Sequence, residues 1–239
     1  INEPDILLVI DTKKGTSTIL IAEQNDYQIE WDGAVETEGY QKISGITLFS
    51  SQNELKHLIK DAKKRGLTIC SVKAAEERIE PYGFYANPAR RLLYTQLEAC
   101  SVKEPKDIRL QLARLRQIKQ EPELRALQRA IDITGDVLAD VKARLSHFKT
   151  EKDVERAITA GFYSVGGDGH AYEPIVASGK NASTIHYNKN NEALAKGHLL
   201  LLDVGAQSEG YAADISRAWA VGRPTKRQKE VYDAVCELQ

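Results

Sequence analysis

The chain of 239 residues is long enough to form one large domain or two ordinary ones. Its 33 basic and 34 acidic residues nearly cancel, and this balance argues against a nucleic-acid-binding protein, which would carry a basic stripe or patch. No apolar run approaches the length that spans a bilayer, so we expect no membrane partner either.

The first half of the chain contains short β-branched runs and one amphipathic, lysine-rich segment. Strand, helix and strand in this order indicate an α/β domain. The aromatic, turn-rich residues 81–88 are interpreted as a loop or an interface. The predicted elements are a hairpin of strands 6–10 and 17–22, a strand at 46–49, a helix at 53–65 that Gly66 ends, and a strand at 67–72.

A basic helix predicted over residues 107–119 is followed by Glu121 and Pro122. Proline disfavours the continuation of a helix but suits the first turn of a new one, so we expect a domain boundary here. The new helix, over residues 123–145, is predicted to be amphipathic. Its apolar stripe consists of Leu124, Leu127, Ile131, Leu138, Val141 and Leu145.

Residues 150–153 have the pattern of a capping box, which predicts a second helix that extends to about residue 163. The glycine-rich loop 166–169 lacks the spacing of a phosphate-binding loop, so it gives little support to nucleotide binding. A short strand is predicted at 174–178, followed by polar loops, and Thr225 is expected to cap a final helix.

Two acids, Asp203 and Asp214, lie eleven residues apart in a stretch that is typical of a β-hairpin. The first arm, residues 198–204, is an apolar run that ends in an acid, and the second arm, residues 211–221, mixes apolar and polar residues. If Ser208 and Glu209 form a two-residue turn, the two aspartates face each other directly across the strands. Because four leucines precede Asp203, we expect this site to be well buried.

Two carboxylates at directly opposed positions, with Cβ atoms roughly 4.5–5.5 Å apart, repel each other. Burial makes this repulsion costly, so either one aspartate takes up a proton or a cation lies between them. Two divalent metals would relieve the repulsion and generate a hydroxide nucleophile. The alternative is a solvent-exposed hairpin with two unrelated acids, or a bulge that turns them to opposite faces.

The sequence contains no methionine, even at position 1, and three cysteines that are far apart. The lack of methionine indicates either a fragment of a longer protein or modified methionines that are absent from the written sequence. The cysteines are odd in number and lack metal-ligand spacing, which favours a reducing, cytoplasmic compartment.

Four short motifs follow one another in the second half of the chain. They are Pro-Ile-Val-Ala-Ser-Gly at 174–179, Ile-His-Tyr at 185–187, Leu-Asp-Val-Gly-Ala at 202–206 and Tyr-Ala-Ala-Asp-Ile-Ser-Arg at 211–217. In order and spacing they resemble the Xaa-Pro aminopeptidase (aminopeptidase P) and prolidase group of the pita-bread metallopeptidases. Residues 117–134 also resemble the entry of that family into its catalytic domain.

This resemblance implies a fold of the α/β (α+β) class. Residues 1–115 would be the rear part of a creatinase-type N-terminal domain. Residues 116–239 would be the front half of a pita-bread catalytic domain without its C-terminal part. We therefore expect a truncated chain.

The resemblance also implies a centre of two divalent metal ions, manganese in the first place, with zinc or cobalt as alternatives. The family holds the metals with two aspartates, a histidine and two glutamates. Asp203 matches the aspartate that chelates one metal, and Asp214 matches the aspartate that bridges both. A metal-bridging hydroxide would attack the carbonyl of an Xaa-Pro bond at a peptide N-terminus.

Two histidines are assigned by the same resemblance. His186 matches the histidine that hydrogen-bonds the scissile region in the transition state, so we assign it as the catalytic residue. His170 is interpreted as a residue that lines the substrate site. The substrates implied are proline-containing peptides, and the family implies a homo-oligomer.

The histidine and glutamate ligands of the family lie downstream of the residue that Asp214 matches, and this chain offers no later cluster to supply them. We therefore expect weak metal binding and no peptidase activity from these residues alone. Three alternatives stay open: a dipeptidase (prolidase), a metal-free hydrolase of creatinase type, and a non-catalytic binding module on the same fold.

Overall fold

The computed structural model describes residues 6–72 and 88–238. The chain divides into two compact units, Ile1–Gln117 and Ile118–Gln239, and each unit has its own hydrophobic core. None of the helices in the described parts of the chain has the length and apolar character that a membrane crossing needs.

The first unit contains a three-stranded sheet in which β2 is central. β1 (Leu7–Asp11) and β2 (Thr16–Ile21) form the predicted antiparallel hairpin, and β3 (Leu48–Ser51) lies parallel to β2. The connection between β2 and β3 contains two helices that the sequence analysis missed, α1 (Asp26–Asp32) and α2 (Thr37–Ser44).

The predicted amphipathic helix is confirmed as α3 (Leu55–Lys64). Its residues Leu55 and Ile59 pack with Leu20 of β2 in the core of this unit, whereas its lysines face solvent. Gly66 ends the helical region with a φ of 67°, a value that glycine adopts without a steric penalty.

The rest of the first unit differs in part from the prediction. The strand predicted at 67–72 is reduced to β4 (Cys70–Ser71), which pairs in parallel with β5 (Lys106–Asp107). Residues 81–87 of the predicted loop lie outside the described residues, and Pro88 begins a helix, α4 (Pro88–Ala99). The predicted basic helix is present as α5 (Arg109–Gln117).

The second unit begins with a long helix, α6 (Glu121–Ala143), which has Pro122 in its first turn as predicted. The predicted apolar stripe is partly wrong, because Leu124 and Ile131 are exposed. The helix instead buries a rotated stripe that includes small side chains, so its backbone can approach the neighbouring strands closely. The buried residues are Ala126, Ala130, Ile133, Thr134, Val137, Leu138 and Val141.

The predicted capping box is confirmed at the start of α7 (Glu151–Ser164). The backbone N–H of Asp153 donates to Thr150 Oγ1 at 3.2 Å, and the backbone N–H of Thr150 donates to Asp153 Oδ2 at 3.0 Å. Val154, Ile158 and Phe162 line the inner face of this helix. The sequence therefore specifies both the start and the buried face of α7.

The strands of the second unit form two small sheets, ordered β11-β8-β7 and β10-β9-β6. Leu200, Leu202 and Val204 of the central strand β8 pack against α6 and α7 in one core. A final helix, α8 (Lys226–Leu238), follows Thr225 as predicted. The strands are β6 (Gly169–His170), β7 (Ile175–Ser178), β8 (Leu199–Val204), β9 (Ala206–Ser208), β10 (Tyr211–Ala212) and β11 (Ile215–Ala220).

Candidate metal centre and catalytic site

The hairpin that carries the two aspartates has a register different from the predicted one. Its turn consists of Glu209 and Gly210, with φ values of 52° and 79°, and not of Ser208 and Glu209. Asp203 pairs with Ser216. The prediction that Asp203 directly opposes Asp214 is therefore wrong.

Asp203 and Asp214 nevertheless converge. Residues 214 and 216 point to the same face of the sheet, so Asp214 is the diagonal neighbour of Asp203. The hydroxyl oxygen of Tyr172 lies 2.8 Å from Asp203 Oδ1 and 3.1 Å from Asp214 Oδ1. Because a phenol carries a single proton, this hydroxyl is shared between the two carboxylates and marks the point where they meet.

The expectation of a well-buried site is also wrong. Asp203 is half-buried and Asp214 is exposed. The side chains of a strand alternate between its two faces, so Leu200 and Leu202 are buried on one face while Asp203 lies on the other. The carboxylate pair is therefore open to a ligand from solvent.

Tyr172 is held in its protonated form. Burial raises the pKa of Tyr172 well above its usual value, and the hydrogen bond and negative charge of Asp203 raise that pKa further. The hydroxyl is thus a hydrogen-bond donor at any physiological pH. It partly satisfies two carboxylates that would otherwise only repel each other.

Gly205 allows the two arms of the hairpin to approach each other at this point. Continuing the observed register places Gly205 opposite Asp214, between β8 and β9. A Cβ atom on Gly205 would lie 1.8 Å from the carbonyl oxygen of Ala213 and 3.2 Å from the Tyr172 ring. Only glycine fits here without a shift of the backbone.

The motif that contains His186 is anchored on the aspartate side of the sheet. Ile175 of β7 pairs with Asp203, so these two residues share one face. Tyr187 packs with Ile175 and Ala177 of β7 and with Leu201 of β8. The residue next to His186 is therefore part of the face that carries Asp203.

His186 itself is exposed in a turn. The turn is closed by the backbone N–H of Tyr187, which donates to the carbonyl oxygen of Thr184 at 3.3 Å. Within residues 6–72 and 88–238, no hydrogen bond or ion pair engages the ring of His186. The ring is thus available to a bound substrate, while its backbone position is fixed by its neighbour.

His170 lies on the opposite, helix-facing side. It pairs with Ala206, a core residue, and its ring meets the ring of Phe162 edge-on at a centroid distance of 5.0 Å. Its Nε2 lies 2.8 Å from Thr159 Oγ1, and burial lowers the pKa of His170 below its usual value. The structure does not bring His170 to the carboxylate pair, and its substrate-lining role stays a prediction.

Two residues of the site were missed in the sequence analysis as functional residues. Tyr172 lies within a short polar stretch that gives no local sign of its contact with acids 31 and 42 residues away. Gly205 did give a signal, because a glycine within an apolar strand pattern marks a close backbone approach.

The carboxylate pair suits a divalent cation. Carboxylate oxygens are ligands that hard and borderline divalent cations such as Mn²⁺ accept. Asp203 of β8 and Asp214, which lies between β10 and β11, converge at a position open to solvent, as a shared ion requires. Among the described residues there is no group of three or more His, Cys, Asp or Glu side chains that could hold a metal. The chemistry of Asp203 and Asp214 thus fits two ligands of a metal site that needs further donors.

The second unit, with a carboxylate pair on a hairpin that packs against two helices, has the fold expected of a pita-bread metallopeptidase domain. Residues 125–239 match the model described as "Metallopeptidase family M24". This part of the chain is thus similar to an M24 domain, and the expected fold class is confirmed.

The chain is similar over nearly its whole length to aminopeptidases of this family. It is 30% identical to Xaa-Pro aminopeptidase 3 of Homo sapiens, over 99% of this chain and 47% of that protein. Icp55 of Saccharomyces cerevisiae superposes with a TM-score of 0.77 at 25% identity, covering 99% of this chain and 54% of that chain. Aminopeptidase P of E. coli superposes with a TM-score of 0.76 at 24% identity, covering 99% of this chain and 55% of that chain. The chain therefore spans about half the length of these relatives.

Proposed function

We propose that this chain is part of a metal-dependent peptidase that hydrolyses the Xaa-Pro bond at the N-terminus of peptides. The observation that carries the proposal is the convergence of Asp203 and Asp214 on the Tyr172 hydroxyl in an M24 domain. The similarity to Xaa-Pro aminopeptidases supports proline-containing peptides as the proposed substrate class.

Asp203 and Asp214 would hold two divalent cations, with Asp214 shared between them. The cations supply, when bound, a water nucleophile at neutral pH and an electrophile for the scissile carbonyl. Manganese is our first choice, and zinc is supported by a zinc-substituted E. coli aminopeptidase P with bound product among the similar structures. The remaining ligands that the resemblance implies have no counterpart in the described residues, so a complete centre needs further donors.

The residues of the chain have separate tasks in this proposal. Tyr172 donates a hydrogen bond that the two carboxylates share, and it keeps both acids on one side of the sheet. His186 donates a hydrogen bond to the scissile region from its exposed turn as negative charge develops on the substrate. Ile175, Ala177 and Tyr187 form an apolar surface, and this surface excludes water from the side of the site that faces away from solvent.

A cytoplasmic location and a homo-oligomer belong to the same proposal, as does the inactivity of this chain without the further ligands. A dipeptidase is the second candidate within the same chemistry. The two peptidases differ in substrate length, because a dipeptidase accepts only a free carboxylate after the proline.

The test uses the product of the complete gene, stripped of metal with a chelator and then supplied with Mn²⁺. Cleavage of Xaa-Pro-Xaa tripeptides and of Xaa-Pro dipeptides is measured for the wild type, Asp203→Asn and Asp214→Asn. The matched control is Asp136→Asn, because Asp136 is an exposed aspartate on α6.

We expect Mn²⁺ to restore cleavage in the wild type and in Asp136→Asn, and to fail in both site variants. Cleavage of the tripeptide identifies an aminopeptidase, and cleavage of the dipeptide alone identifies a prolidase. The proposal is refuted if the wild-type protein binds no metal after Mn²⁺ is added and cleaves neither the tripeptide nor the dipeptide. This result would leave a metal-free enzyme or a binding module.

A further inference from the structure

The loop that carries His186 is held by a buried carboxylate that belongs to a different element. Glu151, the first residue of α7, is fully buried with 0% of its surface exposed. No cation lies within ion-pair distance of it among the described residues. A buried carboxylate without a cation must be stabilised by hydrogen bonds, because burial of an isolated charge is very costly.

Four donors satisfy the carboxylate of Glu151. Oε1 accepts from the backbone N–H of Ser178 at 2.6 Å and from Asn181 Nδ2 at 3.1 Å. Oε2 accepts from the hydroxyl of Tyr187 at 2.8 Å and from the backbone N–H of Glu192 at 3.0 Å. A carboxylate has about four lone-pair sites, so the acceptor capacity of Glu151 is filled.

All four donors belong to one stretch of chain. We call residues 178–192 the His186 loop, since His186 lies within it. Ser178 and Asn181 are at its start, Tyr187 is in its middle, and Glu192 is at its end. One side chain therefore fixes both ends and the centre of the loop at once.

The backbone of Glu151 reinforces this attachment. Its N–H donates to the carbonyl oxygen of Glu192 at 2.9 Å, and the preceding Thr150 forms a bridge with Ala193. A second buried side chain, Asn190, binds the loop to the free edge of β7. Its Oδ1 accepts from the N–H of Val176 at 3.0 Å, and its Nδ2 donates to the carbonyl oxygen of Pro174 at 2.8 Å. The His186 loop thus replaces a further strand at this edge.

Tyr187 connects Glu151 to His186, because Tyr187 is the next residue in the chain after His186. Tyr187 bonds to Glu151 with its hydroxyl and closes the turn around His186 with its backbone N–H. The ring of Tyr187 packs on the face of the sheet that carries Asp203. No hydrogen bond or ion pair with a described residue holds the ring of His186, so we infer that its position depends on Tyr187 and that the position of Tyr187 depends on Glu151.

We propose that Glu151 is the positioning residue of the His186 loop, and that it holds His186 in register with the carboxylate pair. Glu151 does not touch the reacting atoms. It acts through the hydrogen bonds to Ser178, Tyr187 and Glu192. This inference deepens the proposed peptidase function and rests on it where activity is the readout.

Glu151→Gln is the decisive variant because it keeps the volume of the side chain and replaces one acceptor oxygen by an NH₂ group. That group cannot accept from the donors that the second oxygen serves. The matched control is Glu192→Gln, because the side chain of Glu192 is exposed and only its backbone takes part in the attachment. Tyr187→Phe removes one of the four hydrogen bonds and serves as a milder variant if Glu151→Gln folds poorly.

The first measurement is backbone hydrogen exchange on the complete gene product, which does not depend on activity. In Glu151→Gln we expect faster exchange across residues 178–192, with exchange in β8 and α6 unchanged. Tyr187→Phe should give the same pattern with a smaller amplitude, and Glu192→Gln should match the wild type. Unchanged exchange in the loop of both Glu151→Gln and Tyr187→Phe overturns the proposal, even if the protein proves to have no peptidase activity.

The second measurement is a double-mutant cycle of Glu151→Gln and His186→Ala. The cleavage of an Xaa-Pro peptide is measured with the Mn²⁺-loaded product of the complete gene. A displaced catalytic group costs on the order of tenfold to a hundredfold in rate, so we expect kcat of Glu151→Gln to fall by that factor while KM changes little. The loss should vanish in the His186→Ala background, because Glu151 acts through His186. Equal losses in both backgrounds would show that Glu151 only stabilises the fold, and would refute its positioning role. An inactive wild type would refute the proposed function and leave the exchange result to decide the role of Glu151.

Discussion

Gly205 shows how a residue without a side chain can set the geometry of a site. It lies opposite Asp214, where a Cβ atom would come within 1.8 Å of the carbonyl oxygen of Ala213. The close approach of the two arms brings the carboxylates of Asp203 and Asp214 to one hydroxyl. A larger residue at position 205 would separate the arms and, with them, the two acids.

We therefore expect Gly205→Ala to lower the free energy of unfolding by about 1–3 kcal/mol, the usual penalty for overpacking. Urea unfolding measures the change. The matched control is Gly135→Ala on α6, where a Cβ atom would meet nothing within 4 Å. In a helix interior this control should raise the stability by roughly 0.5–1 kcal/mol, because alanine favours the helix over glycine. Equal effects at both positions would show that the hairpin accommodates a side chain at position 205.

His170 couples stability to pH. Burial against Phe162 lowers the pKa of His170 below its ordinary value, and the nearby charge of Glu155 opposes this only in part. The folded state therefore binds a proton less readily than the unfolded chain. The stability due to neutral His170 is complete above the unfolded pKa of about 6.5 and is lost as the pH falls from there towards the lower folded pKa.

We expect the free energy of unfolding to fall between pH 7.5 and pH 5.5, and this fall to be smaller in His170→Gln. Denaturant titrations at several pH values test the prediction. His57→Gln is the control, because His57 is exposed in the first unit. If His170→Gln keeps the full wild-type slope, His170 is not the group that takes up the proton.

At the scale of the element, the capping box of α7 is a feature that the sequence predicts in detail. Thr150 and Asp153 exchange side-chain and backbone hydrogen bonds at the start of the helix. The N–H groups of Lys149 and Thr150 and the hydroxyl of Thr150 lower the pKa of Asp153, so the box is strongest when Asp153 is ionised. The same turn places the carboxylate of Glu151 against the His186 loop, so the cap positions this loop as well as the start of the helix.

Replacement of Thr150 by alanine should lower the free energy of unfolding by about 1 kcal/mol, the typical value for the loss of an N-cap hydroxyl. Thr150→Ser keeps the hydroxyl and should restore most of the loss. Both variants can be followed by thermal unfolding with far-ultraviolet circular dichroism. A Thr150→Ser protein as unstable as Thr150→Ala would show that the methyl group, and not the hydrogen bond, is what matters.

The turn of the hairpin and the buried face of α6 are two features that the sequence pattern predicted incorrectly. Ser208–Glu209 and Glu209–Gly210 are both plausible two-residue turns, but two positive φ values favour glycine in the second position, as Gly210 provides. In α6 the leucines suggested the wrong stripe, because the buried face uses small residues and Thr134, whose hydroxyl accepts from the N–H of Ala206 at 2.9 Å. A polar contact of this kind across 72 residues leaves no periodic signal.

In the molecule as a whole, the two hairpins and the helices α3, α5, α6, α7 and α8 could be predicted from the sequence, whereas the order of the strands within the sheets could not. Periodicity and caps are local properties, and α3, α6, α7 and the hairpins follow from them. What could not be predicted is the set of contacts between distant segments, above all the approach of Tyr172 to two acids and of Glu151 to the His186 loop. These contacts depend on tertiary packing, to which neither spacing nor composition is sensitive.

If the carboxylate pair binds metal as proposed, the stability of the protein should depend on metal. Asp203 and Asp214 repel each other, and the single proton of Tyr172 cannot satisfy both fully. A divalent cation that binds the folded pair, and not the unfolded chain, stabilises the fold by about 2.7 kcal/mol at a concentration of 100 times Kd. We therefore expect chelation to lower Tm and added Mn²⁺ to raise it again.

Thermal unfolding of the chelated protein over a Mn²⁺ series measures this linkage. The increase in Tm should disappear in Asp214→Asn, because this substitution removes both a ligand oxygen and the repulsion that the cation relieves. The control variant Asp136→Asn should keep the wild-type response, because Asp136 is an exposed residue of α6. If Asp214→Asn gains as much stability from Mn²⁺ as the wild type does, the cation binds elsewhere, and the convergence of the two acids on Tyr172 serves the fold and not a metal.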